Sequence, residues 1–313
     1  MLNELDINEP SNILCFYEKN KKCDNDKCNK YREKVIAQIL NNPLYFQVFK
    51  ETKYYKQYIC LDKNLKREIS KHCDSNYDSF KVKIKAGRSF NYDFDLIFMY
   101  KTKEIKTIKI EFKYGVTTIT NYPEIYSRYV KNFPMFTNKN YIEFFYDKLD
   151  EFIEQFPEDI SKQLQEYKPQ TLANYLKIIN DAKHKNKFQD IIYKYSKANP
   201  KKRNISFRRF VNQSISDFLQ DINIEDINFD FIKDNISKKQ NGKIFLLCKE
   251  CFFTTQIIDN LIVMKKEKRI INGNTLVFNC TEPGYQLKWL LRWKNHHGCA
   301  GPAWQVKLHK KKS

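Results

Sequence analysis

Apolar and polar residues alternate through three stretches in the first half of the chain. Phe80, Val82 and Ile84 are spaced by Lys81, Lys83 and Lys85; Asp93 and Asp95 flank Phe94, ahead of Leu96 and Phe98; Ile108, Ile110 and Phe112 are spaced by Lys109 and Glu111. A period of two places one set on each face of a sheet. The pattern predicts three antiparallel strands over about 79–86, 90–100 and 106–114, with Gly87 at the first turn. Ahead of them, Val35, Ile36, Ile39 and Leu40 have helical spacing and predict a helix over 29–41, with a second from Asp62 to His72. From 141 to 240 the apolar residues of "NYIEFFYDKLDEFIEQF", "PQTLANYLKIINDAKHKNKFQDIIYKYSK" and "FRRFVNQSISDFLQDI" recur every three or four positions, which predicts helices broken at "KANPKKRN". Five of the seven glycines follow residue 240 and separate short strand-like runs such as "KIFLLC", "NTLVFNC" and "YQLKWLLRW".

The expected class is therefore α/β in the mixed α+β sense, as one integrated domain over 1–313. Its subregions are an N-terminal helical part (1–75), a sheet core (76–140), a helical insertion or cap (141–240) and a β-rich C-terminal part (241–313). At 313 residues and 42% hydrophobic, the chain can bury a core without staples. Lys and Arg outnumber Asp and Glu to give a net charge of +19, which directs attention to polyanionic partners, nucleic acid first. The N-terminal "MLNELDINEPSNILCF" lacks a signal peptide's basic start, and no apolar run approaches a membrane span. An intracellular protein is expected, cytoplasmic or nuclear, host- or virus-encoded, without a membrane partner. Its nine cysteines then read as mostly reduced thiols or metal ligands. No Gly-rich phosphate loop and no G-x-S-x-G is present, which argues against ATP-driven or serine chemistry.

Chemistry concentrates in "NYDFDLIFMYKTKEIKTIKIEFKYG", residues 91–115. Opposed residues of an antiparallel pair share a face, so burying the even-numbered apolar set of both strands brings Asp93, Asp95, Glu111 and Lys113 out together on the other face. A turn centred on Lys103 sets Asp95 opposite Glu111 and Asp93 opposite Lys113. Opposed carboxylates, with Cβ atoms ~5 Å apart, destabilise a sheet unless a cation lies between them. Mg²⁺ held by Asp95 and Glu111, with Mn²⁺ as a substitute, would be that cation, and Lys113 would assist a water attacking phosphorus. Lys81, Lys83 and Lys85, with Arg88 beyond them, form a basic edge suited to a phosphate backbone.

"YDFDL" followed by "IEFKYG" resembles the PD-(D/E)XK nuclease superfamily, whose type II restriction endonuclease-like core is a helix, three antiparallel strands, a helix and a further strand. The resemblance covers about residues 60–130. It implies a Mg²⁺-dependent DNA endonuclease with Asp95, Glu111 and Lys113 as its catalytic set, Asp93 as an auxiliary acid and a helix glutamate, Glu68 or Glu33, completing the site. It also implies double-stranded DNA as substrate, a homodimer for cutting both strands, and a cognate methyltransferase outside this chain. No proline precedes either aspartate, so the first acid could equally fall on Asp93. The alternatives are a non-catalytic DNA- or RNA-binding protein, a structure-specific repair or recombination nuclease, and, for the hairpin itself, an ordinary half-exposed sheet with solvated charges.

Two further groups stand out. Cys248 and Cys251 form a C-x-x-C, with Cys280 and Cys299 downstream; the poor spacing of the second pair favours buried thiols over a zinc site. All three tryptophans lie in "LKWLLRWKNHHGCAGPAWQVKLHKKK", where Arg292, Lys294, Asn295, His296, His297 and Gln305 are candidates for nucleic-acid contact. For each tryptophan taken singly, a place in the core is the stronger expectation.

Overall fold

The computed structural model describes residues 5–18, 25–73, 76–85, 92–130, 135, 140–180, 186–199, 206–240, 242–258, 269–293 and 301–311. The protein is mixed α+β. In place of the single body expected, the chain divides into two compact units, Met1–Pro123 with Ser237–Asp259, and Glu124–Ile236 with Asn260–Ser313.

The first unit contains helices α1 (Asn25–Asn41) and α2 (Tyr55–Ser70) and strands β1 (Ser79–Ile84), β2 (Phe94–Tyr100) and β3 (Lys103–Tyr114). Both helices extend N-terminally beyond the predicted bounds. After a long excursion the chain returns to this unit as β5 (Lys243–Lys249) and β6 (Phe252–Gln256), giving a sheet of order β1-β2-β3-β5-β6. The first three strands are antiparallel, β5 runs parallel to β3, and β6 is antiparallel to β5.

The expected division of faces holds. Val82, Phe94, Leu96, Phe98, Ile108, Ile110, Phe112, Ile244, Leu246 and Cys248 share one core with Val35, Ile36, Ile39 and Leu40 of α1 and Leu61, Leu65 and Ile69 of α2. Burial on this scale supplies most of the drive to fold the unit, at ~25 cal/mol per Å² of apolar surface removed from water. The odd-numbered residues emerge on the opposite face.

The register differs from expectation by two residues. Asp95 pairs with Lys109 and Phe94 with Ile110; the expected opposition of Asp95 and Glu111 is not found. The cause lies at the turn. Lys101 and Thr102 both take left-handed backbone, with φ of 46° and 66°, and close a two-residue connection from Tyr100 to Lys103. Asp78 steadies it by accepting a 2.7 Å hydrogen bond from the Lys101 N–H. An irregularity between Phe98 and Met99 then absorbs an extra residue of β3 and restores the face parity that an odd shift would destroy.

The second unit is built from α3 (Tyr141–Asp147), α4 (Leu149–Ile153), α5 (Glu158–Glu166), α6 (Leu172–Asn180), α7 (Lys187–Ala198), α8 (Ser206–Gln220) and most of α9 (Phe229–Gln240), so 141–240 is helical as predicted. Asn140 and Asn186 cap α3 and α7 by accepting from the N–H groups of Ile142 and Phe188. Its sheet has the order β4-β10-β9-β8-β7, from β4 (Asn121–Tyr129), β7 (Arg269–Ile271), β8 (Thr275–Asn279), β9 (Tyr285–Trp293) and β10 (Pro302–Lys310). Trp289, Trp293 and Trp304 are all buried. Trp289 and Trp304 meet edge to face, and Trp293 packs on Tyr141 and Phe145 while its N–H donates to the Tyr141 hydroxyl at 3.2 Å. Among the described residues, no helix is long and apolar enough to cross a membrane.

Candidate active site

The two-residue shift takes Asp95 away from Glu111 and leaves Asp93 as the aspartate nearer to it. Asp93 immediately precedes the Phe94–Ile110 pair at which β2 begins, its N–H donates to the Ile110 carbonyl at 2.8 Å, and it lies near enough to Glu111 to feel that residue's charge. One carboxylate oxygen of Asp93 accepts from the Phe112 N–H at 2.7 Å, which fixes the side chain across the strand pair. Burial lifts the Asp93 carboxyl above its usual range; the Phe112 hydrogen bond opposes this rise, Glu111 adds to it, and Lys113 and Lys243 oppose it.

Glu111 is held from both sides. Lys113 Nζ lies 2.6 Å from Oε1, and Lys243 Nζ of β5 bonds Oε2. Lys243 belongs to this face because β5 is parallel to β3, with Lys243 beside Lys109.

Asp93 and Lys113 line a cleft of about 390 Å³ with Asn29, Glu33, Phe112, Tyr114 and Val116. Glu33 projects from α1, and burial, reinforced by the charge of Asp93, pushes its carboxyl up to about 7, against the attraction of Lys30 and Lys113. The cleft thus gathers two carboxyl groups, Glu33 of α1 and Asp93 just ahead of β2, with Lys113 of β3, which bonds Glu111.

Asp95 has a different setting. Lys85 bonds it at 2.8 Å, and its neighbours across the two flanking strands are Lys83 and Lys109. Lys85 already pairs with this carboxylate, and two further lysines stand beside it in the sheet. Glu68 is also engaged elsewhere: it accepts from the Thr255 N–H at 2.8 Å and the Thr255 hydroxyl at 2.7 Å and pairs with Lys71 at 2.6 Å, tying α2 to β6. Burial raises its pKa, but these bonds outweigh burial and hold it below the ordinary value. Of the two helix glutamates weighed, Glu33 is the one at the cleft.

Oxygen donors are those a hard divalent cation takes, and Asp93, Glu111 and Glu33 fit Mg²⁺ or Mn²⁺ in chemical type. Among the described residues no group of three His, Cys, Asp or Glu side chains is drawn together tightly enough to hold a metal ion. The ammonium groups of Lys113 and Lys243 occupy the two oxygens of Glu111 for which such a cation would compete.

Among the described residues the zinc grouping does not assemble. Cys251 is joined to Cys60 of α2 as a disulfide, the buried Cys248 thiol bonds the Glu250 carbonyl at 3.1 Å, Cys280 belongs to the second unit, and Cys299 lies outside the described residues. One cysteine pair is therefore joined, while Cys15, Cys28, Cys73, Cys248 and Cys280 are free thiols. Gln305 is buried on β10 and cannot read a base edge, whereas Arg292 is exposed on β9. Lys294, Asn295, His296, His297 and Arg88 lie outside the described residues. Lys81 and Lys83 are exposed along β1, and exposed Lys109 extends this basic face across β3.

Lys243 and Lys109 were missed as site residues. A single charge opening the apolar run "KIFLLC" was the available signal for Lys243. No protein-family model matches the chain, and neither a curated protein nor a solved structure matches it significantly.

Proposed function

We propose that the chain is a divalent-cation-dependent nuclease that hydrolyses phosphodiester bonds in DNA, with a restriction-endonuclease-like core in its first unit. The observation that carries this reading is the gathering of Asp93, Glu33 and Lys113 at one cleft, with Lys113 bonded to Glu111 and the charge of Glu111 felt at Asp93. A bound Mg²⁺, or Mn²⁺ in its place, would polarise the phosphate and acidify a water near neutral pH.

The protein's own groups do the rest. Asp93, Glu111 and Glu33 would hold the cation, and the Phe112 N–H keeps Asp93 aimed. Lys113, whose side chain is a quarter exposed, orients the attacking water and offsets charge that develops on phosphate. Lys81, Lys83 and Lys109 give the strand a phosphate-binding track. One centre cuts one strand, so a homodimer would serve duplex cleavage, in the manner of a type II restriction enzyme.

Supercoiled plasmid incubated with Mg²⁺ tests this. The wild type should nick or linearise it, chelator should stop the reaction, and Asp93→Asn or Lys113→Met should reduce the rate at least ~100-fold. Asp95→Asn should stay within a few-fold of wild type. Loss on Asp95→Asn with activity retained in Asp93→Asn would refute the assignment. The occupation of both Glu111 oxygens by lysines favours one other reading, a non-catalytic nucleic-acid-binding sheet; DNA retention without cutting at any Mg²⁺ or Mn²⁺ concentration would establish it. Discrete fragments would mark sequence specificity, and cutting confined to branched or flapped DNA would mark a repair enzyme.

A further inference from the structure

We infer that Lys243 is a positioning residue for Glu111, and that it trades divalent-cation affinity for a fixed carboxylate. This rests on the nuclease reading above. The two lysines on Glu111 are not equivalent. Lys113 Nζ meets Oε1, keeps 25% of its side chain exposed and lines the cleft. Lys243 Nζ meets Oε2 from the neighbouring parallel strand with 2% of its side chain exposed.

A cation entering beside Asp93 competes most readily with Lys113, because a displaced Lys113 can turn to water or substrate. Displacing Lys243 would strand a charge without solvent, so its bond to Oε2 persists. The carboxylate then turns about a fixed end and presents Oε1 to the cation. The same ammonium halves the charge that Glu111 offers, so the cation is held less tightly than bare carboxylates would hold it. Lys243 is too buried to handle the nucleophile itself, and acts through Glu111.

The full-length protein, with Mn²⁺ as probe, tests this. Free Mn²⁺ is followed by its paramagnetic resonance signal in wild type, Lys243→Met, Lys243→Gln and Lys243→Arg, and plasmid nicking is timed in parallel. Removing the charge should tighten Mn²⁺ binding on the order of tenfold while lowering kcat on the order of tenfold or more. Lys243→Arg, which keeps the charge, should restore both. A merely structural lysine would not tighten metal binding. Unchanged or weaker Mn²⁺ affinity in folded Met and Gln variants overturns the inference, and so does failure of both to fold, which would assign the pair to stability alone. Tightened Mn²⁺ binding with a wild type that never cuts DNA would refute the nuclease reading and keep the role of Lys243. Cutting with unaltered affinity would do the reverse, and a wild type that binds no Mn²⁺ removes both.

Discussion

Replacing Glu33 by Gln should stabilise the first unit at pH 8 and leave it unchanged near pH 4. Burial and the neighbouring Asp93 raise the Glu33 carboxyl from 4.5 to about 7. The folded protein therefore holds this proton to higher pH than the unfolded chain does. Stability from this group is greatest below about pH 4.5, falls as pH rises to about 7 and is flat above. At about 1.4 kcal/mol per pKa unit the full shift would amount to ~3.4 kcal/mol, and the partial solvent access of Glu33 reduces this to about 1–2 kcal/mol. Guanidinium unfolding in chelator at pH 4 and pH 8 measures it, followed by amide exchange in α1 and β3. Tryptophan fluorescence would report the wrong body, since all three tryptophans lie in the second unit. Adding Mg²⁺ at pH 8 should stabilise wild type more than Glu33→Gln, because the cation supplies the charge that the ionised cleft lacks. An equal loss of stability between pH 4 and pH 8 in both proteins would refute the reasoning, as would a Gln variant less stable than wild type at pH 8 in chelator.

Glu68→Gln should act in the opposite sense. Its folded pKa is depressed, so its contribution is present above the unfolded value near 4.3 and lost as pH falls through the folded value; the variant should be about 1–3 kcal/mol less stable at pH 7 and equal to wild type in strong acid, by the same exchange measurement. Replacing Lys81, Lys83 and Lys109 together by Gln should weaken duplex DNA binding and lower the slope of log affinity against log salt by about 1 to 3, read by fluorescence anisotropy; an unaltered slope would remove these lysines from the DNA track.

Face parity was legible in the sequence because one side of the sheet is buried: Phe94, Leu96, Ile108 and Ile110 admit only one side to the core. Register was not. Two-residue hairpin turns usually declare themselves by Asn or Gly at the left-handed positions, and here those positions are Lys101 and Thr102. The extra residue absorbed near Met99 left no mark in the hydrophobic pattern either, since it restores the alternation it interrupts. Lys243 was illegible for another reason. Its bond to Glu111 spans 132 positions and depends on β5 entering parallel beside β3, a pairing that no local pattern specifies. In the tryptophan-rich tail the tryptophans take the core place expected of each singly, because large aromatic residues bury first: Trp289 and Trp304 fill the core of the second unit.

What separates the candidate site from ordinary surface charge is how well each carboxyl is compensated. Asp95 sits among Lys83, Lys85 and Lys109, and Glu68 accepts three hydrogen bonds that depress its pKa, so the protein itself stabilises the ionised form of Glu68. Asp93 and Glu33 do the reverse: both are raised, chiefly by burial, within a chain of net charge +19 whose lysines would lower them if they stood closer. A fold that places two such acids at one cleft, with the charge of Glu111 felt at Asp93, forgoes stability near neutral pH unless a cation is bound. Deficits of this kind concentrate where ligands bind. Asp93, raised by burial at the cleft, is thus set apart from Asp95, which is paired with Lys85 outside it, and a divalent cation that failed to stabilise the first unit at pH 8 would contradict this reading.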